Sequence, residues 1–208
     1  MGTSRAEAFS DGVFAIAATL LVLELKVPHV EPGALGTALL KRWPSYATYA
    51  VSFLTIGILW VNHHAMLDRV REVNRPLLFV NLLLLMVVAV IPFPTGLLAE
   101  YLREGHDKRL AAAIYGGTWW ATGLAICVTW AYVVRADLLR EGVDRALARR
   151  SLRTFALGIP AYLLGVAASL LVGAEVALAI YALVAIFYLF DVLPPLGVKG
   201  SEKSRGPG

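Results

Sequence analysis

The polar residues of this chain that could do chemistry sit where apolar ones belong. Ser10 and Asp11 interrupt one apolar stretch, Asn62, His63 and His64 follow one another near the end of a second, and Asn81 lies inside a third. An acid beside a hydroxyl, two imidazoles and two amides could move protons, ligate a metal, or hydrogen-bond to one another. Adjacent histidines project about 100° apart on a helix, so His63 and His64 do not face one cation together. No H-x-x-x-H pair or cysteine cluster adds ligands. Neither a metal site nor a cofactor is expected. Ser10 and Asp11 are neighbours that also point apart, which leaves no nucleophile beside a base and argues against an enzyme. Two readings stay open. One is a structural knot in which buried polar groups satisfy one another, and the residues favour it. The other is a proton relay through Asp11 and His63 or His64, because acids inside a membrane mark function by default.

The elements that must position these groups follow from composition. Hydrophobic residues make up 58% of the chain and charged ones 16%, whereas soluble domains carry roughly a quarter charged residues. Mean hydropathy is +0.68. The charges fall in clusters between apolar runs of about twenty residues, the length a helix needs to cross ~30 Å of hydrocarbon. The alternation that membrane strands require is absent. The sequence therefore predicts an all-α integral membrane protein with six transmembrane helices over 7–27, 44–66, 76–98, 110–134, 153–173 and 175–194, in one domain spanning 1–198. Pro28 and Pro32 close the first span, Pro44 opens the second, and Asn74-Arg75-Pro76 opens the third. The third should kink or unwind at Ile91-Pro92-Phe93-Pro94. Gly173-Ala174-Glu175 reads as a tight hairpin, and residues 199–208 as a disordered charged tail.

Several classes fall away. Asp11 breaks the stretch that could pass for a signal peptide, and no small-x-small cleavage site follows. Cys127 is the single cysteine, so neither an intrachain disulfide nor a thiol metal site can form. No internal repeat appears, since the N-terminal pattern does not recur at the fourth span. The net charge is +4, but no basic patch is interleaved with aromatics, so nucleic acid is not an expected partner.

Charge also orients the spans. With the N-terminus inside, thirteen Lys and Arg fall on inner segments (Arg5; Arg69, Arg71, Arg75; Arg135, Arg140, Arg145, Arg149, Arg150, Arg153; Lys199, Lys203, Arg205) and six on outer ones (Lys26, Lys41, Arg42, Arg103, Lys108, Arg109). The positive-inside bias places both termini in the cytoplasm. Trp43, Trp119 and Trp120 are expected to anchor at the interfaces. In that frame Asn62, His63 and His64 at the inner end of span two, and Asn81 near the start of span three, reach the depth of Ser10 and Asp11. The knot would tie the first three helices together.

A projection of span one at about 100° per residue places Gly12, Ile16, Thr19, Leu20, Leu23 and Val27 on one stripe, with Ser10 and Asp11 on the far side. Taken alone, such a stripe is a packing face. Glu24 is expected to pair with Lys26 or Lys41, and Asp191 to reach the inner interface. Ala161, Gly165, Ser169 and Gly173 form a small-residue stripe suited to close helix approach.

The segment Arg5-x-x-x-Phe9-Ser10-Asp11, continuing Gly-Val-Phe-Ala-Ile, resembles the signature of the lysosomal/endosomal potassium-channel family and its bacterial homologues. Trp60…His63-His64, Asn81…Ile91-Pro92-Phe93 and the six-span plan extend the likeness, whereas spans four to six match in pattern alone. The resemblance implies a passive, leak-type potassium channel without a Thr-Val-Gly-Tyr-Gly filter, and this sequence has none. It implies that the first helix lines the pore, with Ile16, Leu20 and Leu23 as constricting rings and Thr19 as a selectivity layer. Arg5, Phe9, Ser10, Asp11, Asn62, His63, His64 and Asn81 would form the signature and its polar network. One signature per chain implies a homotetramer in a lipid bilayer, with potassium ions passing through, and short loops favour a bacterial inner membrane. A different class stays in view: a proton-coupled secondary transporter using Asp11 and His63 or His64.

Overall fold

The computed structural model describes residues 3–190, which form eight α-helices. Helix α1 (Thr3–Leu20) tightens into a 3₁₀ turn over Leu21–Glu24, and α2 (Leu35–Lys41) is a short helix in the following loop. Then come α3 (Trp43–Leu67), α4 (Arg75–Val90), α5 (Pro92–Glu104), α6 (Lys108–Arg135), α7 (Arg145–Leu171) and α8 (Ala174–Phe190). Local chemistry sets the boundaries. Pro44 lies in the first turn of α3, where its missing N–H breaks no helical bond. Asn74 caps α4 by accepting from the Leu77 N–H at 3.0 Å, and Asp144 caps α7 by accepting from the Ala146 N–H at 2.7 Å. Gly105 ends α5 at φ 84°, a left-handed conformation that glycine adopts without a Cβ clash.

Among the described residues, five segments are long and apolar enough to cross a membrane: Thr3–Glu24, Trp43–Leu67, Arg75–Glu104, Lys108–Arg135 and Arg145–Leu171. Ala174–Phe190 is apolar but shorter. The expected end of the sixth span at residue 194, Asp191, and the 199–208 tail lie outside the described residues.

The spans differ from the sequence reading in three places. The third is interrupted at Ile91-Pro92, where a kink or unwinding is expected, but it does not end at residue 98. Ile91 keeps helical dihedrals, and Pro92 opens α5. Proline at the first position of a new helix forfeits no bond it could have made, so the chain bends once and continues to Glu104. The fifth helix starts at Arg145 rather than residue 153, because Asp144 caps it there. The first helix stops short of residue 27: the 3₁₀ turn ends at Glu24, ahead of Pro28, so Val27 is not helical.

The helices α3 to α5 surround the buried side of α1, and α6 packs against α4, α5, α7 and α8. Tyr181 of α8 lies between Gly116 of α6 and Gly165 of α7, where a Cβ at either glycine would collide with the ring. Its hydroxyl donates to the Ala112 carbonyl at 3.1 Å. Gly165 and Ser169 of the small-residue stripe thus receive α8 and α6, and Ser169 donates to the Arg109 carbonyl at 2.9 Å. Trp119 is not an interfacial anchor. It is buried well inside α6 and meets Tyr115 edge-on, because the helix begins a full three turns before it. Trp120 is likewise interior to α6, while Trp43 is exposed at the start of α3.

At the end of the bundle where α1 begins, the loops after α3 and α6 hold each other. Arg71 N–H donates to the Leu138 carbonyl at 2.7 Å and Arg140 N–H to the Arg69 carbonyl at 2.9 Å. Trp130, fully buried, donates to the Ala148 carbonyl at 2.9 Å and ties α6 to α7.

Candidate functional site

Ser10, Phe14, Ala17 and Leu21 share the buried side of α1. Ser10 donates its hydroxyl proton to the Ala6 carbonyl at 2.8 Å, which leaves its oxygen as an acceptor. The Asn81 amide of α4 donates to that oxygen at 3.0 Å. Its carbonyl oxygen therefore faces His63 of α3, and the imidazole donates from Nε2 at 2.8 Å. Phe14 closes the site, its ring centroid 5.3 Å from that of His63. Three helices thus meet in one directed chain of hydrogen bonds. Each donor in the chain has an acceptor, which offsets much of the cost of burying these groups, although the His63 Nδ1 lone pair is buried without a partner among the described residues.

Asp11 does not join this chain. Its carboxylate turns to the flank and accepts from the Trp60 indole N–H at 2.8 Å. Trp60 stacks on His64 with ring centroids 5.8 Å apart. His64 Nδ1 lies 3.0 Å from Glu7 and its Nε2 lies 3.8 Å from Asp68. The separation has a simple origin. One residue along a helix is a rotation of about 100°, so Ser10 and His63 turn inward to Asn81 while Asp11 and His64 turn sideways. Asn62 goes a third way: it donates to its own helix at the Ile58 carbonyl, 3.0 Å away, and lines a cavity of about 60 Å³ with residues of α6 and α7. The single polar network expected from the sequence is two networks and a separate amide.

Arg5 and Phe9 are also not part of either network. Both are exposed on α1, on the side that carries Ile16 and Leu20. Glu24 does not pair with Lys26; that lysine meets Glu100 at 3.0 Å, while the Glu24 carboxylate packs over Gly96 of α5. The roles of Glu7 and Trp60 escape the sequence reading. Their signal is a matched spacing: Glu7 precedes Asp11, and Trp60 precedes His64, by four residues each, so each pair shares a helix face.

Among the described residues, one face of α1 and of the turn that follows it is left uncovered. Ile16 is 60% exposed, Leu20 41% and Leu23 69%, against 2% or less for Phe14, Ala17 and Leu21 behind them. Thr19 is exposed between these side chains, and its hydroxyl donates to the Ile16 carbonyl at 2.9 Å. The proton is thereby engaged, and the oxygen is presented outward as an acceptor. Val22 is also exposed. The uncovered face is wider here than the helical projection, because the 3₁₀ turn advances about 120° per residue.

Glu7, His64 and Asp68 bring one ligand atom each within 4.8 Å of one another. The two imidazole nitrogens face different carboxylates, an arrangement suited to ion pairing rather than to three ligands converging on one cation.

The residues of both networks fall within 5–92, the segment matched by the family described as endosomal/lysosomal potassium channel TMEM175. A potassium channel of Streptomyces collinus (strain DSM 40733 / Tue 365) is 49% identical over 194 residues, 92% of this chain and 94% of that protein. The chain belongs to the TMEM175 family. The fold agrees with the crystal structure of a lysosomal potassium-selective channel TMEM175 homolog from Chamaesiphon minutus, at TM-score 0.83 and 38% identity, covering 90% of this chain and 96% of that one. The human endosomal/lysosomal proton channel TMEM175 is 35% identical over 117 residues, 52% of this chain and 23% of that protein. Membership makes this a multi-pass membrane protein of an ion-channel family, not of an enzyme family.

Proposed function

We propose that the chain is a passive, leak-type potassium channel in which four copies place α1 around a common axis. Ile16, Leu20 and Leu23 then form successive apolar rings, and Thr19 contributes a layer of hydroxyl oxygens. The observation that carries this reading is the two-sided construction of α1. Its back is fixed to α3 and α4 through Ser10, Asn81 and His63, while among the described residues its apolar front is left largely exposed. Kinship with proteins named as potassium channels supports the same conclusion.

Apolar rings resist wetting and can gate on that basis. At a narrow ring without strong ligands, shedding water costs sodium more than potassium, and the Thr19 oxygens would tune that difference. In this reading six helices cross the membrane, both termini are cytoplasmic, and the bilayer is a bacterial inner membrane. Potassium ions and three further copies of the chain are the partners, and nucleic acid is not one.

The proton-coupled transporter has less support. Asp11 hydrogen-bonds to Trp60, while His63 bonds Asn81 and His64 faces Glu7 and Asp68, so among the described residues neither imidazole hydrogen-bonds Asp11 directly. Purified protein in liposomes under a potassium gradient separates the two. Unitary potassium currents are expected; saturable flux that moves protons with the ion would replace the channel reading by the transporter.

A further inference from the structure

The first three turns of α7 carry a cluster of cations that the pore has no use for. Arg149, Arg150 and Arg153 are exposed and line an open groove of about 560 Å³. Two of the nearby acids are engaged elsewhere: Asp137 pairs with Arg145 at 2.5 Å, and Asp144 caps the helix. Among the described residues, no carboxylate forms an ion pair with any of these three arginines.

Their placement on the helix is specific. On a projection of about 100° per residue, Arg150, Arg153, Leu157 and Leu164 fall on one stripe, with Arg149 at its edge. The opposite side, with Ser151, Phe155 and Gly158, is buried in the bundle. Leu157 and Leu164 are 57% and 62% exposed. Three cations therefore stand directly above an apolar track that continues into the membrane. A positive-inside bias requires the charges on that side of the bilayer. It does not require them to share a face with bare leucines.

We propose that this stripe of α7 binds an anionic phospholipid, in the leaflet at the end of the bundle where α1 begins. Guanidinium groups of Arg149, Arg150 and Arg153 hold the headgroup phosphate through paired N–H donors, the geometry that arginine matches best. One acyl chain lies along Leu157 and Leu164. Three uncompensated cations select a lipid with net negative charge, since a zwitterionic headgroup brings its own cation into the groove. The inference rests on the membrane placement of the chain and is independent of what α1 conducts.

The test is native mass spectrometry of the full-length protein in detergent, titrated with palmitoyl-oleoyl phosphatidylglycerol and with the matched phosphatidylcholine. Wild type should retain phosphatidylglycerol with a preference on the order of a hundredfold, the sum of three surface arginines. Replacing all three, R149Q/R150Q/R153Q, should erase the preference, whereas R149K/R150K/R153K should keep most of it and Arg145→Gln should leave it unchanged. The lysine variant keeps the test decisive where the glutamine variant fails to fold. Equal retention of the two lipids by wild type would overturn the proposal, as would a preference that survives the glutamine triple. Loss of bound lipid to millimolar inorganic phosphate would do the same, by revealing a soluble-anion site. So would loss of the oligomer, with lipid retention intact, in the glutamine triple, which would make this face a contact between copies.

Discussion

His63 donates to Asn81 at 2.8 Å while its sequence neighbour His64 lies 3.0 Å from Glu7, so two adjacent imidazoles serve different helix contacts. His63 of α3 donates to Asn81 of α4, which in turn holds the back of α1 at Ser10. His64 and Trp60 brace its flank through Glu7 and Asp11. Loss of either should be felt through the position of α1.

Asn81→Leu leaves the His63 Nε2–H without its acceptor and the Ser10 oxygen without its donor. Each stranded buried group costs about 1–3 kcal/mol. The melting temperature of the detergent-purified protein should fall by several degrees, at roughly 2–4 °C per kcal/mol for a chain of this size. Ser10→Ala should cost less, because it removes the acceptor and leaves only one Asn81 N–H unmet. Wild-type stability in Asn81→Leu would remove the knot from the account.

Trp60→Phe deletes the indole donor to Asp11 and keeps the stack on His64. Asp11→Asn keeps a carbonyl acceptor but removes the charge. A double-mutant cycle that pairs Trp60→Phe with Asp11→Ala should show coupling of about 1 kcal/mol on melting, the scale of one partly solvated hydrogen bond, and Asp11→Asn should retain part of that coupling. Asp11→Ala should also lower the yield of assembled oligomer. If stability is untouched while the pH dependence of flux changes, Asp11 is a proton relay and not a brace.

Ile16→Asn places polar groups in the proposed ring and lowers the barrier to wetting. Conductance should rise and the preference for potassium over sodium should weaken; Thr19→Val should change selectivity with little effect on assembly. Cysteines at positions 16, 20 and 23 should be blocked by silver or thiol reagents. Cysteines at Phe14 and Ala17, which are buried against the bundle, should be spared. Val22 is not a suitable control, because the 3₁₀ turn leaves it exposed. Equal reactivity at 14, 17 and 16 would mean that this face lines no pore.

Gly165→Val puts branched carbons where the Tyr181 ring lies. Overpacking of this kind typically costs about 1–3 kcal/mol. The melting temperature should drop, and Tyr181→Ala in the same chain should recover part of the loss by opening space. An additive pair of changes would show that the glycine and the tyrosine do not share one packing site.

A reporter fused after Gly208 should be cytoplasmic, and a tag between Val30 and Gly36 should be reached from outside. The basis is the excess of Lys and Arg on alternate loops. An externally accessible C-terminus would require an odd number of crossings.

The sequence by itself determined what depends on periodicity and composition. Apolar runs of membrane length, proline and asparagine at helix starts, and the separation of Ile16 and Leu20 from Ser10 are local properties, the last set by a 3.6-residue helix, and the structure retains each of them. Depth could be inferred as well, because loop charge sets the order in which spans cross, and it brought Ser10, His63 and Asn81 to one level. Tertiary structure alone decided which of the polar groups at that level touch. That choice turns on rotations of about 100° between neighbours and on where α3 and α4 lie around α1. It sent Asp11 to Trp60, and it turned Asn62 to the Ile58 carbonyl of its own helix and to a cavity shared with α6 and α7. The extension of α4 through Pro92 into α5, and the burial of Trp119, were likewise settled by packing. A proline can end a helix or begin the next, and a tryptophan can anchor an interface or fill a core. Only the neighbours that bury it distinguish the two.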